Sequence, residues 1–131
     1  FELDPLLTVD SVKINGALRT FTTSGVVRTV SLAQALAQGA AFTAEVWYRG
    51  TPGGQGGFFT NGLSNASSPT WQAQVTWSLS QPYNANDWWP CKQSLQDKID
   101  SCDVWVRVAN ANLKAGANGV LRAVTTLPGG F

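Results

Sequence analysis

Three carboxylates, Asp97, Asp100 and Asp103, stand at three-residue spacing, a pattern able to bind calcium or to divide acid and base roles between two groups. A calcium loop also needs alternating oxygen ligands and a glycine at the bend. Neither follows here, so the spacing reads as a solvated turn rimmed by Lys92 and Lys98. The chain contains no histidine, which removes the commonest general base and the commonest metal ligand together. A serine or cysteine nucleophile would have to rely on a lysine or an acid as its base, and this argues against a self-sufficient hydrolase. Cys91 and Cys102, eleven positions apart, are too few for a disulfide framework or a metal set, and a bond between them is left open. The run Gly53-Gly54-Gln55-Gly56-Gly57 lacks the Lys-Ser/Thr of a phosphate loop and opens no helix, so it reads as a flexible loop or an open hairpin tip. Six tryptophans raise the prospect of stacking on sugar rings, with Trp47, Trp88 and Trp105 as candidates. Trp47 and Trp105 hold the polar parity of their segments, but burial under a loop or a second sheet is the stronger expectation for both. The sequon Asn65-Ala66-Ser67 permits glycosylation in a secreted eukaryotic protein and decides nothing by itself.

The elements that must position these residues are strands. The 131 residues fit one domain, 1–131, and can bury enough surface to fold without metal or disulfide. Net charge is +1 and only 13% of residues are charged, about half the globular average, so no nucleic-acid partner is expected. No run approaches the roughly 18 apolar residues of a membrane span, and no membrane partner is expected. Thirteen glycines, six prolines and abundant aromatics favour short strands joined by tight turns. The clearest strand is Trp71 to Leu79, where Trp71, Ala73, Val75, Trp77 and Leu79 alternate with polar residues. Phe42 to Arg49 and Asp103 to Val108 alternate in the same way. Leu6 to Ile14, Val26 to Leu32 and Val120 to Thr125 are weaker candidates, chosen for β-branched content and bounding turns. Asn15-Gly16, Asn61-Gly62 and Asn118-Gly119 can supply the positive backbone angles of two-residue hairpins, and the first is expected to join Lys13-Ile14 to Ala17-Leu18. Ser31-Leu32-Ala33-Gln34 resembles a capping box and predicts a short helix over Ala33 to Gln38, ended by Gly39. The fold class is therefore all-β, an antiparallel sandwich or saddle of about seven to nine strands with at most one or two short helical turns.

The stretch from Ser80 to Lys98 carries more than periodicity. Ser80-Gln81-Pro82-Tyr83-Asn84-Ala85-Asn86-Asp87-Trp88-Trp89-Pro90-Cys91-Lys92, followed by Asp97-Lys98, resembles the non-catalytic N-terminal β-domain of the aminopeptidase-N-like (gluzincin) zinc metallopeptidases. That family carries Thr-Gln or Ser-Gln at a strand end, then Ala-Arg, two variable residues, an aromatic or aliphatic residue before Pro-Cys, and a Lys seven residues after the Cys. Gln81, Ala85, Trp89, Pro90, Cys91 and Lys98 fall on these positions. Upstream, Leu3-Asp4 and Leu7 to Gly16 look like the family's early strands and turn, and Phe42 to Gly50 looks like its strand ending in Tyr-x-Gly at Tyr48 and Gly50. Nearly the whole chain is covered. The departures are Asn86 in place of Arg, Gln93-Ser94-Leu95 in place of Asp-Glu-Pro, and a link from Gln81 to Ala85 about two residues shorter than usual, which implies a divergent branch.

The resemblance implies a chain that is no enzyme on its own, the capping domain of a parent zinc aminopeptidase trimmed at both ends. Gln81 would line the pocket for the substrate's first side chain, a job suited to an amide because it donates and accepts without titrating. Trp88, Trp89, Pro90 and Cys91 would pack the turn that positions it. No cofactor is expected in this chain; the zinc, its HExxH helix and the strand that grips the free amino group would lie beyond Phe131. The implied partners are the catalytic domain of the same parent chain and a peptide substrate, and the implied location is extracytoplasmic, periplasmic or secreted. Trimmed edges would favour a homodimer. A carbohydrate-binding or adhesive β-sandwich module is the alternative reading.

Overall fold

A computed structural model describes residues 1–53, 62–80, 83–94, 96, 101–109, 115–117 and 119–129. The chain divides into two compact units, Phe1–Asp97 and Lys98–Phe131. Among the described residues seven strands form, all in the first unit, every pairing is antiparallel, and the one helical element is a 3-10 turn at Ala85–Asp87. The fold is thus all-β, as the alternation and turn chemistry imply. No described helix is long and apolar enough to cross a membrane.

Strands β1 (Thr8–Ile14), β2 (Ala17–Arg19) and β5 (Ala44–Arg49) form a sheet in the order β2-β1-β5. The β1–β2 hairpin turns on Asn15 and Gly16, whose φ values of 50° and 77° are the paired positive angles of a type I′ turn. The Asn15 side chain also accepts a bond from the Thr43 amide, which ties this turn to the start of β5. Between β1 and β5 a bulge inserts Asp10, since Val9 pairs with Tyr48 and Ser11 with Trp47. The bulge leaves Asp10 outward, where its carboxylate meets Arg49 Nε at 3.0 Å.

Strands β3 (Phe21–Ser24) and β4 (Val27–Val30) form a second hairpin around Gly25-Val26. Gly25 at φ 56° supplies the positive angle that a type II′ turn places at its first central residue. The amino-terminal residues run beside this hairpin. Leu3 N donates to Val26 O, Arg28 N donates to Phe1 O, and Glu2 exchanges both backbone bonds with Cys91 at 2.7 and 3.1 Å. Residues 1–3 therefore bridge β4 to the segment at Cys91. Among the described residues the buried apolar side chains are Leu3 from this bridging segment, Leu7 just ahead of β1, and Val12 and Ile14 from the inward face of β1.

The third pair is β6 (Ser64–Ser68) with β7 (Ala73–Trp77). Here the expected strand from Trp71 is shortened: Trp71 and Gln72 belong to the connecting turn, Gln72 takes φ 49°, and Trp71 N reaches back to Ser68 Oγ. Val75 and Trp77 keep the half-buried parity that the alternation assigns.

Three expectations fail. The helix over Ala33 to Gln38 does not form; these residues are exposed, and a segment of two turns with no face to bury cannot repay the cost of nucleation. Val104 to Val108 and Val120 to Thr125 form no strand despite their alternation. Strand pattern assigns faces, but a strand exists only where an edge pairs with it.

Candidate functional site

Trp88 leads the turn that resembles the family motif, and three other parts of the chain converge on it. The 3-10 turn at Ala85–Asp87 is closed by Asp87 N and Trp88 N donating to Asn84 O and Ala85 O, both at 3.3 Å. Trp89 N also reaches Ala85 O at 3.1 Å, and the two indoles then stack with centroids 5.6 Å apart and planes 13° from parallel. Tyr48, on β5, donates its hydroxyl to Trp88 O at 3.0 Å. The Trp88 indole N–H donates to Ser80 Oγ at 2.8 Å, and Asn84 N donates to Ser80 O at 3.1 Å. Asn86 O accepts from Asp4 N, which joins the turn to the amino-terminal segment. Among the described residues the Trp89 indole N–H is buried and meets no acceptor.

Two glycines make this packing feasible. A Cβ on Gly62 would lie 2.6 Å from Trp88 Cδ1 and 2.7 Å from Asp87 Cβ, and would collide with Asn84 O as well. Gly62 N donates to Asp87 Oδ2, so the close approach also anchors a carboxylate. Gly50 has φ 143° and carries β5 past the Leu6–Leu7 backbone, where a Cβ would sit 2.9 Å from Leu6 O. Both halves of the Tyr48-x-Gly50 pattern therefore have a structural task. Sequence reading marks Gly62 as a turn residue; its close packing against Asp87 and Trp88 carries no local signal.

Burial raises the Tyr48 phenol above its ordinary value and keeps it a hydrogen-bond donor. The Cys91 thiol is also pushed up, first by burial and then by the Glu2 and Asp87 carboxylates, with the amino terminus pulling the other way. A protonated thiol is a poor nucleophile, so Cys91 suits packing rather than reaction. Cys91 and Cys102 are both free thiols.

Gln81, the residue expected to line a substrate pocket, lies outside the described residues, as do Asp97, Lys98, Asp100 and Gly54 to Gly57. Asp103 is exposed. Contrary to the stronger sequence expectation, Trp47 and Trp105 are not buried: they are 59% and 89% exposed. Trp88 is half-buried and spends its indole N–H inside the turn. Among the described residues no three His, Cys, Asp or Glu side chains gather to hold a metal ion.

Sequence reasoning missed a polar pair. Gln93 Nε2 donates to Asn86 Oδ1 and to Tyr83 O, both at 2.7 Å. The available signal was that Asn86 and Gln93 are two of the positions at which the chain departs from the family pattern. No family model, no curated protein and no solved structure matches this chain.

Proposed function

We propose that this chain is the non-catalytic N-terminal β-domain of a gluzincin zinc aminopeptidase, a cap that shapes the pocket for the first residue of a peptide. One observation carries the reading: Tyr48, from the Tyr-x-Gly pattern, donates directly to the carbonyl of Trp88, just ahead of Pro90-Cys91, forty residues away in sequence. Two stretches that resemble the same family separately are also in contact. The departures agree with this. Asn86 and Gln93 stand where the family has Arg and Asp, and their side chains bond to each other, so an amide pair occupies two positions of opposite charge in the family pattern.

In this reading the Trp88 turn is a clamp. It grips Ser80 through both side chain and backbone, and Ser80 is the residue before Gln81. Holding the chain at Ser80 would fix the approach of the Gln81 amide, which could then donate to or accept from a substrate side chain. The zinc and the bond-breaking step would belong to the catalytic domain of the parent chain, and its substrate to free amino ends outside the cytoplasm. The reading frame beyond Phe131 is expected to encode HExxH and a later Glu; an unrelated module or a stop codon there overturns the proposal. In the full enzyme, Gln81→Ala is expected to reorder kcat/KM across a panel of aminoacyl substrates without changing thermal stability. An unchanged order removes Gln81 from the pocket.

The exposure of Trp71 and Trp105 favours a second reading, a carbohydrate-binding module with aromatic faces open to a sugar. Saturable binding on a glycan panel would support it, and the aminopeptidase reading expects none.

A further inference from the structure

Strand β5 is an edge. β1 pairs with one side of it, and among the described residues no strand pairs with the other. It is the longer edge of its sheet, six residues against three in β2, and it contains no proline to blunt it. Its cross-strand neighbours fix its two faces. Val46 lies opposite the buried Val12 and Tyr48 donates to the Trp88 carbonyl, so Glu45, Trp47 and Arg49 share the outer face. Trp47 is 59% exposed there. Arg49 meets Asp10, while Glu45 forms no ion pair among the described residues, although Lys13 is its cross-strand neighbour.

The strand reads Ala-Glu-Val-Trp-Tyr-Arg, with an acid two residues before Trp47 and a base two residues after it. Such a strand is complementary to itself. Laid antiparallel beside a copy, with Trp47 opposite Trp47, Glu45 of each copy faces Arg49 of the other on the outer face, and Val46 faces Tyr48 on the inner one. Each alternative fails. A two-residue slip sets Glu45 or Arg49 against Trp47 and leaves both ion pairs unmade, and a one-residue slip sets outer residues against inner ones. Parallel pairing in register stacks Glu45 on Glu45 and Arg49 on Arg49. The Arg49 guanidinium has five N–H donors, so it can hold Asp10 of its own chain and Glu45 of the other at once.

We infer that β5 is a self-docking edge: two copies of this chain pair β5 with β5 about a two-fold axis at Trp47, joining their three-stranded sheets in the order β2-β1-β5-β5-β1-β2. The occupant must be a second copy, because the strand whose charges match β5 is β5 itself, and a strand cannot lie beside itself within one chain. Every residue involved belongs to the unit Phe1–Asp97. The contact is isologous, so it closes at two chains and covers both open edges instead of growing into a fibre. The dimer is independent of the aminopeptidase reading.

Sedimentation velocity of the 131-residue chain over a wide concentration range tests it, and a monomer–dimer equilibrium is expected. Glu45→Arg opposes arginines at both ends of the pairing, and Arg49→Glu opposes glutamates. Each variant alone is expected to weaken self-association about tenfold. Mixed in equal amounts, the two regain both ion pairs and are expected to associate nearly as tightly as the wild type. Unaltered circular dichroism will verify that each variant folds. In a Cys91→Ala, Cys102→Ala background, Trp47→Cys sets two thiols opposite each other at the axis and is expected to oxidise to a covalent dimer. Leu18→Cys, on the same face but on β2, is expected to stay monomeric. A chain monomeric at every concentration, a dimer indifferent to the charge changes, a mixture no tighter than either variant alone, or a Trp47→Cys chain that forms no covalent dimer would each overturn the inference.

Discussion

Strand β5 and the segment 103–108 are near twins in composition, yet they are held differently. β5 is paired along its length with β1 and presents Val46 and Tyr48 to a half-buried face; the other segment alternates as strictly and forms no strand. The contrast extends to their units. Phe1–Asp97 contains the four buried apolar residues found among the described residues, while the apolar residues from Val120 to Leu127 are exposed. A period of two decides which residues share a face. Stability comes only when an edge supplies hydrogen bonds and a second surface covers that face.

The largest expected effect sets the two units directly against each other. Leu3 is fully buried, so Leu3→Ala should cost about 2–5 kcal/mol in urea unfolding, whereas Val104→Ala in dilute monomer should stay within about 0.5 kcal/mol. Equal losses would erase the distinction between a packed unit and an open one. Next comes Gly62→Ala, which forces a methyl group against Asp87 and Trp88 and should destabilise by about 1–3 kcal/mol. An unchanged unfolding midpoint would mean that the Trp88 turn is not packed as tightly as these contacts require.

The Tyr48→Phe variant removes the bond to Trp88 O and should cost about 1 kcal/mol. Its pH dependence sharpens the point. Burial raises the folded-state value of Tyr48 above the ordinary 10.0, so its contribution is complete below that value and is lost as pH climbs through the folded one. Wild-type urea midpoints should therefore fall more steeply in this alkaline range than those of Tyr48→Phe. Parallel curves would show that the phenol contributes nothing to the turn.

The legible parts of the fold share one property: their signal is local. Asn15-Gly16 announced its hairpin because two positive φ values suit few other pairs, β5 announced itself by alternation, and β1 more weakly by β-branched content between turns. β3 and β6 were not legible, since Phe-Thr-Thr-Ser and Ser-Asn-Ala-Ser-Ser carry almost no apolar periodicity and become strands only through their partners. The capping box at Ser31 misled for the converse reason, a correct local signal with no surface to bury. At the site, the motif stretch located the turn, but the contacts that organise it are non-local. Tyr48 with Trp88, Gly62 with Asp87, and Asp4 with Asn86 join residues that no window of sequence brings together.

Hydrogen exchange tests the central contrast most directly. In dilute solution, amides of β1 and β5 should be strongly protected, while those of 103–108 and 120–125 exchange fast. Strong protection of 103–108 would contradict the account, because that segment would then be a paired strand.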